Sequence, residues 1–317
     1  NNEEQNNAVL EELKKNPYIV SSLDEKDRIR KAPAPFTTSS MQQDAANKIN
    51  FSTRKTMMVA QQLYEGIEIK GHGTIGLVSY IRTDSVRISD EAKAQAREYI
   101  LEKMGEEYYS NNIYKNRKGD VQDAHEAIRP SHIELEPDEI KDSLSRDQYK
   151  LYKLIWNRFL ASQIAPARFK AVNAGISNGD YLFKATGSKL IFDGFLKVYQ
   201  QGKDGEENNL LPHLEKGEQL ELVKVEGTQN FTQPPARFTE ASLVKDLEDK
   251  DIGRPSTYAP IVATLMDRKY VTKDKKSLMP TELGFIVIDM MQQYFKEIVD
   301  TGFTAQMEEN LDDIEAK

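Results

Sequence analysis

Cysteine is missing from the chain, which rules out a disulfide framework and any zinc held by thiolates. Long apolar runs are missing too: none approaches ~18 residues, so no stretch reads as a membrane-spanning helix. A signal peptide is not legible, because the start, Asn1-Asn2-Glu3-Glu4-Gln5-Asn6, is polar and acidic. That start does not read as a natural translation start. A fragment of a longer protein from a reducing, cytoplasmic setting is the expectation. Hydrophobic residues make up only 38% of the 317 residues, against 30% charged. Such a balance suits two or three domains with much surface better than one compact globule.

Positive charge is also in deficit, with a net charge of −8, which at first sight argues against a nucleic-acid partner. Its distribution matters more. Residues 281–317 carry nine acids against two lysines, whereas residues 28–98 carry eleven Lys/Arg against seven Asp/Glu. A local positive surface of that kind is compatible with gripping phosphates, as it is with an ordinary solvated surface.

Along the chain, a helix is expected over Ala8–Lys15 and a strand over Tyr18–Leu23. Ala32-Pro33-Ala34-Pro35 breaks the chain. Ser39 with Gln42 reads as a capping box for a helix to about Lys48, and Ser52 caps a second helix to about Glu65. Ser89 caps a helix from Asp90 to about Met104, and Ser145 with Gln148 opens another to about Gln163. The last of these should bury Leu151, Leu154, Ile155, Trp156 and Phe159. From Ala167 the pattern becomes strand-like, over Phe169–Ile176, Tyr181–Thr186, Phe195–Tyr199 and Gln219–Glu226, with a hairpin turn at Asn178-Gly179-Asp180 and a polar loop at Gln201–Asn209. Helices return after Pro234-Pro235. Phe36-Thr37-Thr38-Ser39-Ser40-Met41 is echoed by Phe238-Thr239-Glu240-Ala241-Ser242-Leu243, and Ser52-Thr53 by Ser256-Thr257. Each echo opens two helices leading to a strand, so the chain reads as carrying two winged-helix-like units; chance recurrence of helix caps is the alternative.

Three runs carry chemistry. In Gly76-Leu77-Val78-Ser79-Tyr80-Ile81-Arg82-Thr83-Asp84-Ser85, a β-capable segment puts Tyr80, Arg82 and Asp84 on one face. A tyrosine can attack phosphorus and hold it as a phosphodiester, and an arginine fork can grip the phosphate oxygens. A solvated edge strand would show the same alternation. In Asp123-Ala124-His125-Glu126-Ala127-Ile128-Arg129-Pro130-Ser131, a helical turn would project His125 and Arg129 together, with Pro130 ending it. In Gly253-Arg254-Pro255-Ser256-Thr257-Tyr258, Pro255 suits the first position of a helix whose free N–H groups, hydroxyls and Arg254 would suit an anion. Arg268 and Lys269 lie at the far end of that helix.

Together and in this order, the three runs resemble the motifs of the type IA DNA topoisomerases, the bacterial relaxing enzymes in particular. Pro234-Pro235-Ala236-Arg237-Phe238-Thr239 and Phe303-Thr304-Ala305-Gln306-Met307-Glu308 resemble the same family, and the likeness runs from Ala34 onward. It implies a multidomain α and β fold: part of a toroid with a β-rich arch and helical, winged-helix-like domains. The arch would be 1–35 with 167–232, the helical tyrosine domain 36–166, and a partial DNA-binding domain 233–317. Tyr80 matches the nucleophile that keeps a 5′-phosphate. Arg82 matches a contact to the scissile phosphate. Asp84, His125, Arg129, Arg254, Ser256, Thr257 and Arg268 fall where the family contacts DNA.

The implied partners are single-stranded and negatively supercoiled DNA, bound by a monomer with no membrane association. Strand passage and resealing would need no ATP. The family's Mg²⁺ sits on an acidic cluster of a TOPRIM domain. The only Asp-x-Asp here, Asp249-Lys250-Asp251, reads as a solvated turn at a helix end. Mg²⁺ ligands are therefore expected outside this chain, with the chain alone inactive. A non-catalytic single-stranded DNA-binding protein built from winged-helix units is the alternative.

Overall fold

The computed structural model of the chain describes residues 2–116, 125–200 and 210–315. The expected polar loop at 201–209, and Asp123 and Ala124 of the His125 run, lie outside them. Packing divides the chain into two units: Asn1–Ala32 with Ala165–Pro235, and Pro33–Ile164 with Ala236–Lys317.

Among the described residues the first unit is a sheet with one α-helix. Asn2 caps α1 (Glu3–Leu13) by accepting from the Gln5 N–H, and Glu3 and Glu4 suit the positive end of the helix. β1 (Tyr18–Arg30), β4 (Ala167–Asn178), β5 (Tyr181–Phe192) and β6 (Gln219–Leu220) form an antiparallel sheet in the order β5-β4-β1-β6. β1 runs well past the expected Leu23. Its ladder with β4 continues to Arg30 opposite Ala167, and cross-strand pairs such as Lys170–Glu25 (2.7 Å) replace apolar contacts there. The β4–β5 hairpin turns at Gly179 and Asp180, with Asn178 paired to Tyr181 and Gly179 at φ +55°. The buried Asn178 amide ties this turn to the end of α1 by donating to the carbonyls of Leu13 (3.0 Å) and Asn16 (2.9 Å).

Two expected strands are corrected here. Phe195–Tyr199 is not a strand: Gly194–Lys197 is a 3-10 turn. Gly194 has φ +49°, and a Cβ there would lie 2.4 Å from the Ala165 carbonyl oxygen, so only glycine fits. The N–H groups of Val198 and Tyr199 then fold back on the Phe195 carbonyl (3.2 and 3.0 Å). The strand expected over Gln219–Glu226 is only two residues long. β6 meets β1 at Tyr18 and Ile19 alone, and beyond it Val223 is almost fully exposed.

The second unit contains α2 (Thr38–Lys48), α3 (Thr53–Glu65), a small hairpin of β2 (Ile67–Ile69) and β3 (Gly73–Ile75), α4 (Asp90–Lys103) and α5 (Arg146–Gln163). After Ala236 come α6 (Glu240–Asp249), α7 (Tyr258–Asp267), the hairpin of β7 (Val271–Asp274) and β8 (Ser277–Pro280), α8 (Glu282–Tyr294) and α9 (Thr301–Glu315). Ser52, Ser89 and Ser145 cap α3, α4 and α5 as expected. α5 buries Leu151, Leu154, Ile155, Trp156 and Phe159 against a core that includes Phe36, Met41, Leu63, Ile100 and Ile128. Each such side chain contributes about 1.5–3 kcal/mol through burial. Tyr152 and Trp156 satisfy their polar ends inside it by donating to the carbonyls of Leu135 (2.8 Å) and Ile133 (3.0 Å).

The sequence echo is structural. Thr37 caps α2 in a reciprocal box with Ser40, and Thr239 caps α6 in the same box with Ser242. Each copy then runs helix, helix, two-stranded wing, and α2 packs on α6 as α3 packs on α7. The cap of α2 is Thr37 with Ser40, not Ser39 with Gln42. Ser39 is buried, and its hydroxyl donates to Glu248 (2.8 Å). Three further corrections bear on the chemistry. Tyr80 is not in a strand, and residues 125–129 are not helical. Nor is Pro255 the first residue of a helix: α7 begins at Tyr258, after a turn in which the N–H groups of Thr257 and Tyr258 reach the Arg254 carbonyl (2.8 and 3.2 Å).

Candidate active site

The Tyr80 segment is an extended stretch stapled down by long-range bonds rather than by a sheet. Gly76 admits it: a Cβ there would meet the Tyr64 carbonyl oxygen at 2.7 Å, and the next residue, Leu77, donates to the Leu63 carbonyl (2.7 Å). Val78 bridges Pro130, while the Ser79 and Ser131 N–H groups donate to the carbonyls of Arg129 and Leu77 (both 2.9 Å). Thr38, wholly buried at the start of α2, holds the other side. Its hydroxyl is shared between the carbonyls of Ile81 (2.7 Å) and Thr83 (3.1 Å) and accepts from the Thr83 N–H (2.9 Å).

An extended backbone keeps the period of two even without a strand partner. Ile81, Thr83 and Ser85 are buried, and Tyr80, Arg82 and Asp84 are exposed. Tyr80 is 42% exposed, so its hydroxyl is not lost in the core. Its ring lies between two others. His125 stacks on it with centroids 5.7 Å apart and planes at 29°, and Tyr64, at the end of α3, meets it edge-on at 5.7 Å and 68°. Tyr80, Arg82 and Asp84 make no hydrogen bond or ion pair with the described residues. A phenol, a guanidinium and a carboxylate thus stand side by side, open to a ligand. The buried Nδ1 of His125 also lacks a partner among the described residues.

The non-helical backbone at 125–131 has a physical cause. Its N–H groups are claimed from afar, Ala127 by the Arg87 carbonyl and Ile128 by the Phe36 carbonyl (both 2.8 Å), and Arg129 by the Ser79 hydroxyl (3.0 Å). Arg129 does not project with His125. Its guanidinium is engaged by Glu126 through Nε and Nη2 (both 2.8 Å) and by the Pro130 carbonyl (3.0 Å). Burial pushes the Glu126 carboxyl up, but the hydrogen bond from Ser89 and the charge of Arg129 outweigh it and hold it below the usual range. Glu126 therefore orders Arg129 and ties it to the cap of α4.

The remaining expected residues flank α7. Ser256 and Thr257 are exposed in the turn before it and Arg268 is exposed after it. Arg254 is held by α9, bidentate to Asp312 (3.1 and 2.6 Å) with Glu308 nearby (3.7 Å). Burial lowers its proton affinity, while Asp312 and Glu308 outweigh that and raise it. No hydrogen bond, ion pair or ring contact among the described residues joins these four to Tyr80. Asp249-Lys250-Asp251 is a helix-end turn, with Asp249 paired to Lys245 (2.6 Å). Among the described residues no three His, Asp or Glu converge on a point where a cation could sit. The described residues do not fit a Mg²⁺ site. Sequence reasoning missed Tyr64, whose only signal is an aromatic on the exposed face at a helix end.

A family model described as DNA topoisomerase matches residues 1–317. Among solved structures, full-length topoisomerase I from Thermotoga maritima is 40% identical, with a TM-score of 0.88 over 98% of this chain and 50% of that one. The chain thus spans half the length of the structure it matches. No helix among the described residues is long and apolar enough to cross a membrane.

Proposed function

Because the chain belongs to the type IA DNA topoisomerase family, we propose that it is the tyrosine-bearing part of an enzyme that relaxes negatively supercoiled DNA. The Tyr80 oxygen attacks the phosphorus of a phosphodiester in a single strand. A tyrosine–phosphorus bond forms to the 5′-phosphate, the bond to the 3′ oxygen breaks, and that oxygen leaves with a proton. One phosphodiester is exchanged for another, so the bond energy is kept for resealing after strand passage and no ATP is used. Arg82 steadies the charge on the non-bridging oxygens with its planar fork. His125 and Tyr64 fix the Tyr80 ring and offer faces for unpaired bases. The observation that carries this reading is Tyr80 itself, exposed on a stapled backbone beside an Arg82 that has no partner among the described residues.

The divisions proposed for the activity are a β-rich arch at 1–35 with 167–232, a tyrosine domain at 36–166 and a partial DNA-binding domain at 233–317. Mg²⁺ belongs with ligands outside these residues, and no step is routed through it. We accordingly expect this chain alone to bind single strands without relaxing plasmids; joined to a metal-binding domain, it would relax them as a monomer in the cytoplasm. Asp84, Ser256, Thr257 and Arg268 are the proposed strand contacts, together with His125. Arg129 and Arg254 join them only if their present carboxylate partners release them. The test is Tyr80→Phe in the intact enzyme with a labelled oligonucleotide. Binding should survive and the covalent adduct should vanish from denaturing gels. A persisting adduct would mean another nucleophile, and no adduct from the unmodified enzyme would favour a binding protein without chemistry.

A further inference from the structure

The wing of the second repeat carries a feature that the Tyr80 chemistry does not use. β7 and β8 pair through Asp274 and Ser277, which leaves Lys275-Lys276 as a two-residue hairpin loop. Such loops favour Asn-Gly, since the backbone must turn to positive φ. Here Lys275 takes φ +54°, a conformation that side chains with a Cβ adopt reluctantly. Lys275 thus sits where local backbone preference selects against it. Lys275 and Lys276 are both exposed, and neither makes a hydrogen bond or ion pair with the described residues.

The loop borders a concavity of about 230 Å³ lined by Asn47, Asn50, Phe51, Lys273, Lys275 and Lys276 among others. Asn47, in the last turn of α2, and Asn50, between α2 and α3, are exposed, with amides that have no partner among the described residues. One carboxylate, Glu240, also lines it. Both its oxygens are taken, one by Lys273 (2.9 Å) and the other by the N–H (2.8 Å) and hydroxyl (3.2 Å) of Thr53. The concavity therefore offers two unpaired cations and two amides. It offers no ring: Phe51 is only 4% exposed.

That composition separates two kinds of nucleic-acid contact. Unpaired strands are held by aromatic faces beside cations, as at Tyr64, Tyr80 and His125, whereas a duplex hides its base faces and presents only phosphates to such a surface. We infer that Lys275 and Lys276, with Asn47 and Asn50, grip the backbone of a double-stranded segment. This rests on the reading that the chain binds DNA, and it adds a second site for the duplex that flanks the unpaired strand.

The experiment measures binding of the 317-residue chain to a single-stranded oligonucleotide and to a duplex by fluorescence anisotropy across a salt series. The variant is Lys275→Gln with Lys276→Gln. A control, Lys184→Gln with Lys189→Gln, removes two exposed charges from the sheet unit. Losing two phosphate contacts should lower the duplex salt slope by about 2 and weaken duplex binding roughly tenfold. Single-strand binding should stay within about twofold, and the control should change neither. An unchanged duplex slope, or equal losses on both probes, overturns the inference while leaving the proposed function standing. Failure of the unmodified chain to bind either probe overturns both.

Discussion

Tyr80 and His125 stack with their ring planes 29° apart and 5.7 Å between centroids, although 45 positions separate them in the chain. The contact exists because residues 77–79 pair with 127–131, which brings the two runs side by side. A stacked pair of this kind contributes about 1 kcal/mol, roughly a fivefold effect. His125→Ala should therefore weaken single-strand binding about fivefold and slow adduct formation further, by loosening the Tyr80 ring. His125→Phe keeps a ring there and should restore binding to within about twofold. Oligonucleotide anisotropy and single-turnover cleavage check both. If Ala and Phe bind equally badly, the imidazole acts by more than stacking.

Arg82 has no partner among the described residues, so its worth lies in what it can hold. Replacing it with Lys keeps the charge and removes the planar fork. In the intact enzyme, Arg82→Lys should slow single-turnover cleavage by about 10–100-fold, or ~1.4–2.8 kcal/mol in the barrier. Strand affinity should move less than about threefold, since the fork's gain comes as charge develops on the phosphoryl oxygens. Equal losses in affinity and rate would instead make Arg82 a simple anchor.

The alternation of Tyr80, Arg82 and Asp84 against Ile81, Thr83 and Ser85 was legible because any extended backbone carries it. What was not legible was the partner. Thr38 and residues 127–131 staple the segment from far away in sequence. The same long-range bonds defeat the helical reading of His125–Arg129, because its N–H groups are claimed by Arg87, Phe36 and Ser79. Ser52, Ser89 and Ser145 could be read as caps because a cap is a bond across three residues. At Thr37-Thr38-Ser39-Ser40 four hydroxyls compete for that role, and burial of Thr38 and Ser39 leaves it to Thr37. Tyr64 lies on no periodic pattern that singles it out, and only the fold brings it to Tyr80.

Glu240 opens α6 but caps another helix. Its carboxylate is 4% exposed and takes the Thr53 N–H at the start of α3, linking the two repeats. Charge-assisted bonds to a buried group are worth about 1.5–3 kcal/mol. Glu240→Ala should cost about 2–3 kcal/mol in urea unfolding of the helical unit. Trp156, the single tryptophan of the chain, lies in that unit and reports it by fluorescence. Thr53→Ala combined with Glu240→Ala should cost clearly less than the two single losses together. Full additivity would show that the link carries no energy.

The Glu126 carboxyl sets a pH dependence whose sign follows from its depressed proton affinity. The folded state holds it below its ordinary 4.5, with burial opposing and Ser89 and Arg129 prevailing. Its contribution is therefore complete above 4.5 and is lost as pH falls through the lower folded value. Glu126→Gln lacks that contribution at every pH. The melting temperature of the unmodified chain, followed at Trp156, should exceed that of the variant by a constant margin from about pH 7 to about 5.5. Below that the margin should close, because the unmodified carboxyl becomes as neutral as the amide. A margin that held steady or widened down to about pH 3 would show that the pair with Arg129 does not depend on the Glu126 charge.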